Sequence, residues 1–271
     1  MKTRVISATV LIVITLTCVL VSPVTRVLYF AIAGGLCAYE FSKNVEKLEA
    51  RCTLWVMFVY LAVQAALVII QEVAGLFDLG LFAYSLLFIF CIYLALFSGV
   101  IHKRVAGRGA LFTLAGLTYP CVLFGILMVI SVSRIWVPTL VLACFSTWVC
   151  DSFAMFGGKW FGKHKVAPLV SPNKTVEGCI CGALSSIPVG IIVYFIFRNH
   201  SAMSLWLCIS TALIASSAGQ IGDLAESLLK RMIGVKDFSN LIPGHGGMFD
   251  RADSLLFSIP TAYICLFLAN I

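Results

Sequence analysis

Apolar runs of bilayer-spanning length recur along this chain, and no other feature narrows its fold as far. A hydrocarbon core about 30 Å thick takes roughly 20 residues of α-helix to cross. Runs of that order fall near residues 5–22, 24–39, 53–71, 79–99, 109–132, 135–150, 178–197, 202–221 and 254–270. They are continuous rather than alternating, which favours helices over a β-barrel, and in lipid each backbone polar group must be satisfied within such an element. Only 11% of the 271 residues are charged, against about 25% in soluble domains, so a water-facing surface is excluded. The sequence predicts an all-α polytopic membrane protein of about nine transmembrane helices. The runs at 24–39 and 135–150 are the shortest and are expected to tilt, break or be miscounted. The first run follows Lys2 and Arg4, lacks a clean small-residue cleavage site and precedes further spans, so it reads as a retained helix and not a signal peptide.

Basic residues give an independent check, because they accumulate on the cytoplasmic side of membrane proteins. With the N-terminus inside, Lys2, Arg4, Lys43, Lys47, Arg51, Lys103, Arg104, Arg108, Lys159, Lys163, Lys165, Lys174, Lys230, Arg231, Lys236 and Arg251 all fall inside. Arg26, Arg134 and Arg198 alone fall outside, in alternate loops. The expected topology is N-inside, C-outside. Topology and anionic headgroups account for the net charge of +7, and no nucleic-acid partner is expected. The eleven cysteines sit mostly singly in apolar runs and read as small buried hydrophobes. Cys179 and Cys181 lack the spacing and histidines of a zinc site.

Carboxylates are not demanded by topology, yet seven of the twelve (Asp151, Glu177, Asp223, Glu226, Asp237, Asp250 and Asp253) lie between 151 and 177 or between 223 and 253. Several sit at the edges of apolar runs, where an unpaired charge is costly and a functional role is the default reading. Asp223, Glu226, Ser227 and Lys230 follow i, i+3, i+4, i+7 spacing and share one helix face. A solvated face with an Asp223 or Glu226 to Lys230 ion pair would account for that segment equally well.

The loop from Lys236 to Ser254 carries three glycines around His245, which allow positive φ and close backbone approach to an anion. Asp250 and Asp253 stand one turn apart at a helix start, and Arg251 offers a bidentate fork to phosphate. An N-cap at Asp250 and a plain glycine turn would leave the clustering of Lys236, His245, Asp250, Arg251 and Asp253 unexplained. In the upstream loop, Trp160, Phe161 and Lys165 read as interfacial anchors. Ser171 and Pro172 form an N-cap and N1 pair, which predicts Asn173, Lys174 and Thr175 in a helix's first turn, a place that favours phosphate. Hard oxygen ligands, basic donors and glycine-flanked backbone on one side are the equipment for Mg²⁺-assisted phosphoryl or nucleotidyl transfer. No Walker A sequence is present.

The run from Ser227 through Lys230-Arg231, Lys236-Asp237, His245-Gly246-Gly247 and Asp250-Arg251 to Asp253 resembles the signature of phosphatidate cytidylyltransferases, also called CDP-diacylglycerol synthases. The segment from Asp151 to Thr175, with Gly162-Lys163-His164-Lys165 and Ser171-Pro172-Asn173-Lys174-Thr175, resembles the same family, so the similarity covers roughly the C-terminal half. Two positions depart from that pattern: Met155 stands where a tyrosine is usual and Lys159 where an arginine is usual. Lysine keeps the charge but loses the planar fork.

The resemblance implies CTP + phosphatidate → CDP-diacylglycerol + pyrophosphate for phospholipid synthesis, at the cytoplasmic face of a cell (inner) membrane, with CTP, phosphatidic acid and membrane lipids as partners. It implies Mg²⁺, with room for a second cation and for a homodimer. Asp223 and Asp250 would be metal-binding carboxylates, with Asp253 and Asp151 supporting the metal or nucleotide. Asp223, Lys230, Arg231, Asp250 and Arg251 would carry the chemistry. Lys174, Lys230, Arg231, Lys236 and Arg251 would hold phosphates. Ser171, Asn173, Thr175, Ser227, His245, Gly246 and Gly247 would complete the substrate site. Phosphatidate is already anionic, so no general base is required and His245 is expected only to shape the loop or touch phosphate.

One membrane domain is expected over 1–271. Helices in 1–135 would build the bundle and lipid groove, and helices in 136–271 the catalytic part, with cytoplasmic loops 151–177 and 223–253. A related CTP-dependent lipid enzyme, such as a polyprenol kinase or an archaeol cytidylyltransferase, would differ only in its acceptor, which the loops do not display. A transporter would place charges inside several spans, whereas these cluster at two loops.

Overall fold

The computed structural model describes residues 2–75, 80–101, 106–198, 203–244 and 246–269. Among them eight helices are long and apolar enough to cross a membrane, with Thr9–Val21 as a shorter apolar stretch inside the first helix. The chain is thus an all-α multi-pass membrane protein, and among the described residues the one extended element is a small hairpin. Its packing forms two compact units, Met1–Val132 with Ile233–Arg251, and Ser133–Met232 with Ala252–Ile271.

The first unit contains α1 (Lys2–Val21), α2 (Pro23–Val45), α3 (Leu54–Ala74), α4 (Gly80–Ile101), α5 (Ala106–Gly116) and α6 (Leu123–Ser131). Ser22 caps α2 through a reciprocal box with Thr25: the Thr25 N–H donates to Ser22 Oγ at 3.1 Å, and the Ser22 N–H to Thr25 Oγ1 at 3.0 Å. Between α5 and α6 the chain widens into a π-helical segment, Leu117–Val122, around Pro120. Proline has no N–H to continue the ladder, and the wider turn absorbs its ring without ending the span. Val27, Phe30, Cys37, Phe41, Met57 and Phe124 form much of the buried core.

The second unit contains α7 (Trp136–Phe161), strands β1 (Lys165–Ala167) and β2 (Ser171–Thr175), then α8 (Val176–Ser185), α9 (Ile187–Phe197), α10 (Leu205–Ile233) and α12 (Leu255–Leu268). The short α11 (Phe249–Ala252) precedes α12. Leu142, Val189, Val193, Cys208 and Ala212 make one core cluster.

Two expectations change. The runs at 24–39 and 135–150, expected to tilt, break or be miscounted, do not break: they lie in helices of 23 and 26 residues. Both helices continue past the apolar run, and in α2 the polar residues there, Glu40 and Asn44, find hydrogen-bond partners. Ser171–Pro172 does not begin a helix: Ser171–Thr175 pairs antiparallel with β1, Lys165 opposite Thr175 and Ala167 opposite Ser171. Helix α8 begins at Val176 with Thr175 as its N-cap, the Gly178 N–H donating to Thr175 Oγ1 at 3.2 Å. Thr175 outcompetes Ser171 because extended β2 carries the chain to the helix start.

Helices α7 and α8 approach closely along small residues. A Cβ added at Gly178 would lie 2.6 Å from the Ala154 carbonyl oxygen, and one at Gly182 2.7 Å from that of Cys150. Such small-residue contacts let membrane helices pack at backbone distance. Gly182→Ala should therefore cost about 1–3 kcal/mol through overpacking, read as a lower thermal midpoint in detergent. An unchanged midpoint would contradict this packing.

Candidate active site

The second unit gathers charged side chains from α7, β2, α10 and the start of the last span. A cleft of about 630 Å³ is lined by Asp151, Met155 and Lys159 of α7, Asn173, Lys174 and Thr175 of β2, Cys179 of α8, and Gln220 and Asp223 of α10. The hairpin sets this wall. Glu177 accepts from the Lys163 N–H at 3.0 Å and contacts His164 Nδ1 at 2.6 Å, fixing the turn that leads into β1. With β2 held extended, Lys174 reaches across to Asp223, Nζ to Oδ2 at 2.5 Å.

Asp223 also belongs to a group of three carboxylates. One oxygen each from Asp223, Glu226 and Asp253 lies within 4.8 Å of the others. Asp223 and Glu226 share a face of α10 at i, i+3, and Asp253 enters from the loop before α12. A Cβ at Gly222 would fall 2.6 Å from the Asp253 carbonyl oxygen, so a glycine there permits the approach. Asp253 Oδ1 accepts from the Ser254 N–H at 2.6 Å, which orients its carboxylate. Glu226 is fully buried and paired with Lys230, Nζ to Oε2 at 2.5 Å. Three convergent carboxylates offer hard oxygen donors, the set a divalent cation such as Mg²⁺ takes.

The other expected site residues are distributed as follows. Ser227 Oγ donates to Asp223 Oδ1 over a long 3.5 Å. Arg231 Nε donates to the Val170 carbonyl at 3.2 Å, so this guanidinium braces the hairpin turn. The hydroxyl of Thr175 is taken by the cap. Ser171 stands at the start of β2, opposite Ala167.

Lys236, Gly246, Gly247, Asp250 and Arg251 belong to the first unit, and His245 lies outside the described residues. Gly244 and Gly246 have φ of 79° and 87°, the left-handed backbone that glycine supplies without strain. The loop's N–H groups, however, bind the chain's own carboxylates. Gly247 N–H donates to Asp250 Oδ2 at 2.8 Å, and the Met248 and Phe249 N–H groups donate to Glu40, each at 3.0 Å. Lys236 and Arg251 are exposed.

A family model described as "Cytidylyltransferase family" matches residues 2–269. The chain belongs to the cytidylyltransferase family. Among similar proteins, a phosphatidate cytidylyltransferase of Staphylococcus aureus (strain COL) is 44% identical over 128 residues, 47% of this chain and 48% of that protein. Phosphatidate cytidylyltransferases of Staphylococcus epidermidis (strain RP62A) and Staphylococcus haemolyticus (strain JCSC1435) are each 42% identical over 127 residues, with the same coverage. The matched stretch is thus about half the length of these curated relatives.

Both departures from the expected cytidylyltransferase pattern, Met155 and Lys159, line this same cleft. Sequence reasoning did not place Glu226 among the metal-binding carboxylates, although its i+3 spacing from Asp223 was visible. It also passed over Glu40, for which the signal was a single carboxylate directly after the apolar run of α2, between Tyr39 and Phe41.

Proposed function

We propose that this chain transfers the cytidylyl group of CTP to phosphatidate, giving CDP-diacylglycerol and pyrophosphate. The observation that carries the reading is the Lys174–Asp223 pair, which lies in the cleft and connects it to the carboxylates Glu226 and Asp253. A site built for phosphate and a hard cation needs such a juxtaposition of amine and carboxylates, and the naming of the relatives points to the same chemistry.

In this reading a phosphate oxygen of phosphatidate forms a bond to the α-phosphorus of CTP, and the bond from that phosphorus to the pyrophosphate oxygen breaks in line. The attacking oxygen carries no proton, so no general base acts. Lys174 neutralises phosphate charge and holds Asp223 in place, while Lys230 balances Glu226. Lys236, Arg231 and Arg251 are proposed to bind phosphate, and Lys159, which also lines the cleft, offers a further charge. Asp223, Glu226 and Asp253 are proposed to hold Mg²⁺, with Asp151 in support. Bound there, Mg²⁺ would neutralise charge developing on the phosphates and polarise their oxygens.

The site is proposed to face the cytoplasm of the cell membrane, with the N-terminus inside and the C-terminus outside. That topology needs α1 to cross, and its 20 residues span about 30 Å. A C-terminal reporter that is active only on the outer side should give signal. A silent reporter there, with an active one on the inner side, would leave α1 on the surface.

The reaction is tested by incubating the purified chain in detergent with CTP, phosphatidate and Mg²⁺. CDP-diacylglycerol should form and should cease with EDTA. Product from a polyprenol or from an archaeol acceptor, with none from phosphatidate, would move the activity to a related lipid enzyme.

A further inference from the structure

Glu40 is 3% exposed and lies inside the apolar helix α2. It accepts hydrogen bonds from a loop about 200 positions away: Ser239 Oγ at 2.6 Å, the Met248 N–H at 3.0 Å and the Phe249 N–H at 3.0 Å. One helical turn on, Asn44 Nδ2 donates to the Phe238 carbonyl at 2.5 Å and to the Glu40 carbonyl at 2.8 Å. Gly247 passes so close that a Cβ there would stand 2.7 Å from Glu40 Oε2.

The loop is gripped twice. Asp250 Oδ2 accepts from the Phe238 and Gly247 N–H groups at 3.0 and 2.8 Å. Two carboxylates therefore take three consecutive N–H groups, Gly247 to Asp250, and Met248 and Phe249 to Glu40. Apolar packing also anchors both ends of the loop, with Phe238 and Phe249 ring centroids 4.7 Å apart. That packing supplies adhesion without a charge. Burying a carboxylate costs several kcal/mol before any compensation, and well-packed apolar replacements of buried ionic groups are often neutral or stabilising. Stability alone gives no reason for a glutamate here. What neutral donors around a buried carboxylate do provide is one defined backbone path.

We propose that Glu40 is a positioning residue for the reaction: it fixes the path of Gly247, Met248 and Phe249 and so sets where Asp250 and Arg251 stand. This rests on the cytidylyl-transfer reading above, in which Arg251 binds phosphate. Glu40 itself touches no substrate.

The test uses the full chain in detergent, comparing wild type with Glu40→Gln and Ser239→Ala. Misplacing a reacting group by about 1 Å costs on the order of 10²-fold. For Glu40→Gln, kcat for CDP-diacylglycerol formation should fall about 10- to 100-fold, with KM for CTP changed less than about threefold, the signature of contacts that matter in the transition state. Ser239→Ala removes one of the three donors and should lie between that variant and wild type. In parallel, tryptic cleavage at Lys236 and Arg251 should accelerate in Glu40→Gln, while cleavage at Lys163 and Lys165 keeps its wild-type rate.

Unchanged cleavage at Lys236 and Arg251 overturns the proposal, and so does faster cleavage with an unchanged kcat. If Glu40→Gln does not fold, Ser239→Ala carries both arms, and wild-type behaviour in that variant overturns it. A wild-type chain that makes no CDP-diacylglycerol overturns the reaction and the positioning role with it. The cleavage arm then still reports separately whether Glu40 holds the loop.

Discussion

Asp223→Asn is expected to lower CDP-diacylglycerol formation by about 10³-fold, the scale of losing an electrostatic group at a reacting phosphoryl centre. The side chain has three tasks at once. It holds Lys174 at 2.5 Å, contacts Ser227 at 3.5 Å and supplies one of three convergent carboxylates. The amide keeps the shape and removes the charge, so folding should survive while both the proposed metal donor and the partner of Lys174 are lost. Wild-type and variant protein with the same elution volume and thermal midpoint, differing only in rate and in Mg²⁺ affinity, would match this account. A variant retaining more than a tenth of the wild-type rate would contradict it.

Lys230→Met is expected to cost about 3–5 kcal/mol of stability, the scale of removing one partner from a buried ion pair. Glu226 is fully buried, and the Lys230 side chain is 14% exposed with its amine 2.5 Å from the carboxylate. Adding Glu226→Leu should restore much of the lost midpoint, because the unpaired Glu226 charge is then gone from the interior. The double variant should nonetheless be inactive, since it lacks one of the three carboxylates. A denaturation series in detergent checks the first part, and the rate of product formation checks the second. A double variant as unstable as Lys230→Met alone would contradict the pairing. One that regained activity would remove Glu226 from the site.

The helical membrane architecture was legible because runs without charge, repeated at bilayer length, admit little else. The clustering of acidic residues in two late segments was legible for a related reason: positive-inside topology does not account for carboxylates. Their division between partners was not. Asp223 and Asp250 look alike in sequence, but Asp223 pairs with Lys174 while Asp250 accepts two backbone N–H groups from its own loop. Which carboxylate meets a side chain and which meets backbone depends on contacts between segments far apart.

The local errors have local causes. Ser171–Pro172 satisfies the rules for a helix start, but Thr175 does too, and the pairing with β1 decides between them. No error arose at Pro120: the span expected at 109–132 runs through it, although proline commonly ends a helix, because a π-helical turn carries the chain past. Glu40 was overlooked although a carboxylate flanked by Tyr39 and Phe41 in an apolar helix violates the same burial rule that drew notice to Asp223. Its partners lie about 200 residues away, where no window on the sequence reaches.

The cytidylyl group of CTP, and not its terminal phosphate, is expected to move to lipid. Purified chain is supplied with phosphatidate, Mg²⁺ and CTP labelled either at the α- or at the γ-phosphorus. Label from the α-position should appear in the lipid product, and label from the γ-position should leave as pyrophosphate. Lipid labelled from the γ-position, or α-label that never enters lipid, would contradict the account.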